Sequence, residues 1–313
     1  MLEARLEQLA QLEGSAKVVP ASLDLLDLPA LARQGTGLAG KYIARLREVD
    51  AICAVLRAFD DPSVPSDESG LDPVSQAQEI MLELAIADHD IMDRRRGRLV
   101  KEAAAEPIKR AEAAAVAEAT ELLGGGTALR RADWSDEQLK FLRDSDPLTL
   151  KPTIWVVNSG EEAVGHQDLA ASLREIVPSA DSVMILSAKI EEEATRLEPE
   201  DRTELLAGLG MGEGALAAVV RAAYQALDLI SFYTVGPKES HAWSVRAGST
   251  APAAAGKIHT DMERGFIRAE VASIDEVIAA GGWDQAKKSG RVRVEGKAYV
   301  VAQDDVLLVR FSV

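Results

Sequence analysis

The chain opens with Leu2, Leu6, Leu9 and Leu12 about one turn apart, with Glu and Gln between them, which predicts a short amphipathic helix ending near Gly14. The stretch from Val18 to Asp27 reads as a strand closed by an aspartate. A loop with Gly35, Gly37 and Gly40 follows, then a short helix over Lys41–Glu48. Asp50–Phe59 is a continuous apolar run of strand length, as in a parallel sheet covered on both faces, so Cys53 within it reads as a core residue. Asp60–Pro73, rich in Pro, Ser and Asp, reads as a surface loop.

From Val74 to about Leu123 the period becomes helical, through Ile80, Leu84, Ile91, Leu99, Ile108 and an Ala-rich tract, until Gly124-Gly125-Gly126 stops it. Pro107 should kink or split that helix. Ser135 and Gln138 form a capping box that starts a return helix through Leu142, so this region predicts a helical hairpin. Thr153–Val157 and Ser182–Leu186 are two more buried-type strands, ending in Asn158-Ser159-Gly160-Glu161 and Ser187-Ala188-Lys189. Two helical segments follow, with Pro199 in a first turn and Gly208 and Gly210 as stops. After Leu227–Thr234, short strands alternate with one helix, capped by Ser273 and Glu276 and ended by Gly281-Gly282. Val292–Val294, Ala298–Val301 and Val306–Phe311 read as the closing strands. The stretch beginning at Ala251 reads as a loop entering a short strand at Phe266–Val271. The fold class is therefore α/β with a mostly parallel sheet, an inserted helical hairpin and a C-terminal β-grasp-like α+β domain.

Composition narrows the function classes. With 47% hydrophobic and 27% charged residues in 313, the chain has material for two or three domains. Aromatics are 4%, so the core rests on Leu, Val, Ile and Ala. A single cysteine excludes an internal disulfide framework and a cysteine-based zinc site. No run has the length of a membrane span and the N-terminus is no secretion signal, so the expected location is cytoplasmic, with no membrane partner. The net charge of −16 argues against nucleic-acid binding by the whole surface. Trp243–Val313, however, carries ten Lys/Arg and nine Asp/Glu, a near-neutral module on an acidic body.

Several motifs combine into a resemblance. The run Ala251-Pro252 through Gly256-Lys257-Ile258-His259-Thr260-Asp261 to Arg264-Gly265-Phe266 and Glu270 resembles, nearly word for word, the TGS-domain signature of the YchF (Obg-like ATPase) family of P-loop proteins. The likeness extends from about Arg5 to Val313. It implies an incomplete Ras-like P-loop domain over 1–73 and 146–228, the hairpin over 74–145 and a TGS domain over 229–313.

The same resemblance assigns stations at the strand ends, where ligands of such sheets sit. Asp27-Leu28-Pro29-Ala30 stands where the family has Asp-x-x-Gly, the Asp acting through water on Mg²⁺; here Ala30 replaces the glycine, Pro29 stiffens the backbone and the switch after it is shortened. Asn158 and Glu161 match the family's Asn-x-x-Glu base-reading loop, whose Glu goes with ATP, and Ser187-Ala188 resembles the last base-contacting loop. Missing is Gly-x-x-x-x-Gly-Lys-[Ser/Thr], the backbone cradle for phosphates; Gly35–Gly40-Lys41 is followed by Tyr42, where the pattern needs Ser or Thr. Two explanations stand. Met1 is a start called too late in an active ATPase, or the chain is a paralogue with a decayed nucleotide site. Pro29, Ala30 and the short switch favour decay, hence a non-catalytic protein with no firm cofactor; ATP and Mg²⁺ enter only if the site is completed. The family implies a ribosome or RNA partner for the hairpin and TGS domain, with a protein partner as the alternative. Lys257, His259, Arg264, Arg268, Lys287, Lys288, Arg291 and Arg293 are the candidates for phosphate contact, or equally a solvated face. No second histidine lies at ligand spacing from His259, so no metal site is expected.

Overall fold

The computed structural model describes residues 2–28, 40–63, 70–160, 167–209, 211–212 and 214–312. In chain order the elements begin with α1 (Leu2–Glu13), β1 (Val18–Val19), α2 (Gly40–Glu48), β2 (Ile52–Ala58), α3 (Pro73–Ala105), α4 (Arg110–Gly124) and α5 (Asp136–Arg143). Next come β3 (Thr153–Ser159), α6 (Gln167–Ile176), β4 (Ser182–Leu186), α7 (Ala188–Ala194), α8 (Pro199–Gly208) and α9 (Ala215–Ala226). The last part holds β5 (Leu229–Thr234), β6 (Ser240–Arg246), α10 (Ala251–Ile258), α11 (Thr260–Arg264), β7 (Phe266–Ser273), α12 (Ile274–Ala280), α13 (Trp283–Lys288), β8 (Arg293–Glu295) and β9 (Asp305–Phe311). These elements form two units, one from the stretch up to Leu25 with Leu227 onward, the other Leu26–Ala226.

The first unit is a six-stranded sheet in the order β1-β6-β5-β9-β7-β8. Alternation along β7 and β9 sends side chains to two cores. Ala272 and Val306 face Leu6 and Leu9 of α1, Ile274 and Val277 of α12, and Trp283 and Ala286 of α13. Ala269, Val271 and Leu307 face Ala251, Ala254 and Ala255 of α10. The sheet is thus covered by helices on both sides. Ser273 and Glu276 make the anticipated capping box, and Gly281 takes the left-handed conformation (φ 85°) that ends α12.

Three sequence readings change here. The stretch starting at Ala251 is helix, because Pro252 fits a first turn and alanines at i, i+3 and i+4 make a buried stripe. The strand anticipated over 18–27 shrinks to Val18–Val19 and runs parallel to β6. Backbone partners explain this: Ala16 N–H donates to Pro237 O (3.1 Å) and Ser240 N–H to Lys17 O (2.9 Å). Residues up to Leu25, expected with the parallel-sheet domain, accordingly join the C-terminal unit. Arg5 seals that attachment through Asp304 (2.7 Å).

In the second unit β2, β3 and β4 are all parallel. Leu56, Trp155 and Val157 pack with Ala77 of α3 and Leu173 of α6, while Ile154 and Val156 pack with Ala222 of α9. Strand β2 is not buried on both faces: Ile52, Ala54 and Leu56 point inward, whereas Cys53 and Val55 are exposed, Val55 at 64%. Cys53 is therefore a surface thiol, because only one face of β2 has a covering helix layer among the described residues.

The hairpin turns at Pro107, earlier than the glycine run. Glu106, extended as a residue before proline must be, ends α3, and a 3-10 turn over Pro107–Lys109 leads into α4. Ala85, Met92 and Leu99 of α3 pack against Val116, Ala119 and Leu123 of α4, and Leu142 of α5 closes the group. Arg95, 8% exposed, ties the three helices by bonding Glu112 (2.8 Å), Phe141 O (2.7 Å) and Ser145 Oγ (2.8 Å). At the root, buried Asp88 accepts from Leu148 N–H, Thr149 N–H, Thr149 Oγ1 and Arg47 of α2.

Candidate functional site

Parallel strands expose their carboxyl ends along one edge, and there the structure joins two of the anticipated stations. Asn158, in register with Leu186, sits near the end of β3. Its Oδ1 accepts the backbone N–H of Ala188 at 3.0 Å. Ser159 Oγ donates to Leu186 O at 3.2 Å and fastens the same two loops again. Ser187 precedes α7; it is 1% exposed, and its Oγ is buried without a hydrogen-bond partner among the described residues. The edge therefore presents an amide side chain and a backbone N–H side by side, already bonded to each other. A bound heterocycle would have to draw on the remaining Asn158 donors or open that 3.0 Å bond.

Asp27 is exposed and outside any helix or strand. Glu161, Pro29 and Ala30 lie outside the described residues, as does most of the run from Gly35. That run ends at α2, where the Lys41 ammonium lies 5.2 Å from the Tyr42 ring centroid. An aromatic ring thus follows Lys41, where a phosphate loop carries a hydroxyl ligand for magnesium. The described residues form no group of three or more His, Cys, Asp or Glu able to hold a metal ion.

The eight basic candidates of the C-terminal unit come from the helices of both layers, from β7 and β8, and from the segment before β8. Lys257 lies on α10 and Arg264 on α11, while His259 caps α11 by accepting Asp261 N–H on Nδ1 (3.2 Å). On the opposite layer, Lys287 of α13 bonds Glu270 at 2.7 Å. Arg310, which sequence reasoning missed, approaches the same carboxylate at 3.7 Å. Arg310 is the register partner of Arg268 across β7 and β9, a pairing visible only once the strands are aligned. Lys287 first, then Arg310 and Arg268, hold the Glu270 carboxyl below its ordinary pKa. Arg291 donates to Glu276 O at 3.5 Å, Arg293 to Tyr299 Oη at 3.2 Å, and Lys288 is exposed at the end of α13. Tyr299 donates in turn to Asp305 (2.7 Å); burial, then that bond, push the phenol up to about 12.

A parallel sheet with hydrogen-bonded loops at its carboxyl edge, followed by a helix-covered C-terminal α+β unit, fits the α/β class of P-loop GTPase-like proteins. The comparisons are specific. The family model YchF-GTPase_C, described as "Protein of unknown function (DUF933)", matches residues 229–312. The ribosome-binding ATPase YchF of Bacillus subtilis is 36% identical over 99% of this chain and 87% of its own length. That of Haemophilus influenzae is 35% identical over 100% and 88%, and rat Obg-like ATPase 1 is 30% identical over 99% and 81%. The solved structure of the Schizosaccharomyces pombe YchF GTPase superposes with a TM-score of 0.87 at 28% identity, covering 98% of this chain and 85% of that one. The chain belongs to the YchF family.

Proposed function

We propose that this chain is a translation-associated protein that binds the ribosome, and that these 313 residues by themselves do not hydrolyse ATP. The observation that carries the first part is full-length similarity to relatives named ribosome-binding ATPase. The second part rests on the chain's own residues. Phosphoryl transfer is mainly positioning and charge stabilisation by a phosphate loop and its magnesium, and no Gly-x-x-x-x-Gly-Lys-[Ser/Thr] occurs here. Asn158, Glu161, Ser187 and Ala188 are then a residual base-reading half, and Asp27 a residual magnesium station. The C-terminal unit acts as a TGS domain, with Lys257, His259, Arg264, Arg268, Lys287, Lys288, Arg291 and Arg293 as its phosphate-contacting residues. Sedimentation through a gradient with purified ribosomes tests the first part: co-migration is expected at low salt, and its absence there removes the reading. Calorimetric titration with Mg-ATP, with Mg-GTP as control, tests the second.

A second reading has its own support. The 3.0 Å bond between Asn158 and Ala188 keeps the base-facing loops assembled, so a phosphate loop supplied from elsewhere would complete an ATPase. Micromolar heat with ATP preferred over GTP would favour it over the first.

A further inference from the structure

The outer strands of the two sheets are guarded differently. β1 is two residues long, and β8 carries Arg293 and Glu295. Every residue of β4 is half-buried. Shortness, charge and cover are the usual protections against edge-to-edge pairing. β2 has none of them. It runs for seven residues without Pro or Gly, and no charged side chain stands between Asp50 and Arg57. Val55 is 64% exposed, and Cys53 is exposed beside it.

Hydrogen bonds show which backbone groups of β2 face outward. Along a strand, the N–H and C=O of one residue point to one side and those of the next residue to the other. Ile52 N–H donates to Pro152 O at 2.9 Å, so Ile52, Ala54 and Leu56 address β3. Arg57 addresses the open side: its N–H donates to Gln76 Oε1 and its carbonyl accepts from Gln76 Nε2, both at 2.8 Å. The Gln76 amide, from α3, thereby imitates one rung of a further strand and closes the edge at that point. Cys53 and Val55 share the open side with Arg57, and their backbone groups have no hydrogen-bond partner among the described residues. At the other end Ala51 lies in a bend. The open edge is therefore a window of two residues, bounded by the bend and by Gln76.

We propose that this window is a self-association edge, through which two copies of the chain pair β2 with β2 in antiparallel fashion and run their parallel sheets into one. The window is its own complement. With a two-fold axis at Ala54, Cys53 of one copy stands opposite Val55 of the other, and each such pair exchanges two N–H···O=C bonds. Every outward N–H and C=O of both windows is then satisfied. Moving the axis to Val55 would set Arg57 opposite Cys53 and break the Gln76 bonds, so Gln76 fixes the register. A longer foreign strand would run into the same Gln76 rung, whereas a second copy brings a strand that stops where this one does. Two chains of net charge −16 repel, so the uncharged window carries the contact, and screening by salt strengthens it. Two short strands bury little area, which places the dimer in the weak class. The inference goes beyond the ribosome reading and uses none of its residues.

The test is sedimentation equilibrium of the full chain from about 1 to 300 µM, the range of small, weak interfaces. The average mass should rise from 33.5 kDa toward twice that value. It should do so at lower concentration in about 0.5 M salt than in about 0.05 M. Val55→Lys sets like charges near the axis and should weaken the dimer at least about tenfold, while Val294→Lys on β8 should leave it within about threefold. Cys53 is the sole cysteine, so a nitroxide attached to it reads the register in the wild-type chain. Paired windows put the two Cys53 residues on a diagonal of about 7–8 Å, so electron–electron distances should lie within about 20 Å. A constant mass of 33.5 kDa across the range overturns the proposal. So does a dimer that Val55→Lys leaves intact, one that weakens as salt rises, or one whose labels lie well beyond that distance. Circular dichroism verifies that both variants fold, and the wild-type label distance decides the matter even if Val55→Lys does not.

Discussion

Asp88→Asn is the substitution whose cost the structure defines best. The Asp88 side chain is fully buried, and four donors converge on it. Oδ1 takes Leu148 N–H and Arg47 Nη2, each at 3.0 Å, and Oδ2 takes Thr149 N–H at 2.7 Å and Thr149 Oγ1 at 2.8 Å. Asparagine keeps one acceptor oxygen. If its NH₂ replaces Oδ2, the Thr149 hydroxyl can turn to accept, but Thr149 N–H is left unpaired. If it replaces Oδ1, Leu148 N–H and Arg47 both lose their acceptor. A stranded buried donor costs about 1–3 kcal/mol, and the lost charge-assisted bonds add about 1.5–3. A loss of about 3–5 kcal/mol follows, the range for breaking a buried ion pair. With a urea dependence of about 2–3 kcal/mol per molar, the midpoint should fall by about 1–2.5 M. Hydrogen exchange of peptides from β2 and β3, measured across urea, reports this unit separately from the C-terminal one. A midpoint within about 0.3 M of wild type would refute the claim that Asp88 anchors α2, α3 and the 148–150 turn together.

Four further outcomes follow from particular contacts. Ser273→Ala removes the capping-box acceptor of Glu276 N–H and should cost about 1 kcal/mol, read by thermal unfolding of the C-terminal unit. Gly265→Ala would set a methyl 2.1 Å from Ser312 O, so the end of β9 must move; a loss of about 1–3 kcal/mol is expected in the same assay. The Glu270 carboxyl is depressed in the fold, so its stabilisation is complete above the ordinary glutamate pKa and is lost as pH falls through the folded value; Glu270→Gln should flatten that part of the acid limb in a stability-against-pH series. Tyr299 is raised to about 12, so the unfolded chain ionises first and stability should fall as pH climbs from about 10 toward 12; Tyr299→Phe should remove that slope, and an unchanged slope would sink the assignment.

Local rules carried much of the fold. The i, i+3, i+4 leucines of α1, the capping boxes at Ser135 and Ser273, the break at Pro107 and the strands β3 and β4 all follow from spacing, side-chain hydrogen bonding or a missing N–H. The motif run from Ala251 to Glu270 also placed the chain in its family, and strand ends marked Asn158 and Ala188, which the structure joins by a 3.0 Å hydrogen bond. What stayed hidden depended on which surface each segment met. Val18–Val19 reads the same whether its partner is a parallel-sheet strand or β6; only the contacts of Ala16 and Lys17 decide. The apolar run holding Cys53 looks buried on both faces, yet exposure depends on whether a second layer covers it. The alanines after Ala251 needed Phe266 and Val271 opposite them to become a helix face. Arg310 joined Arg268 and Lys287 only through register across β7 and β9. Periodicity, caps and breakers act within a few residues and can be read along the chain, whereas burial, strand partners and charge clusters are properties of pairs brought together from distant positions.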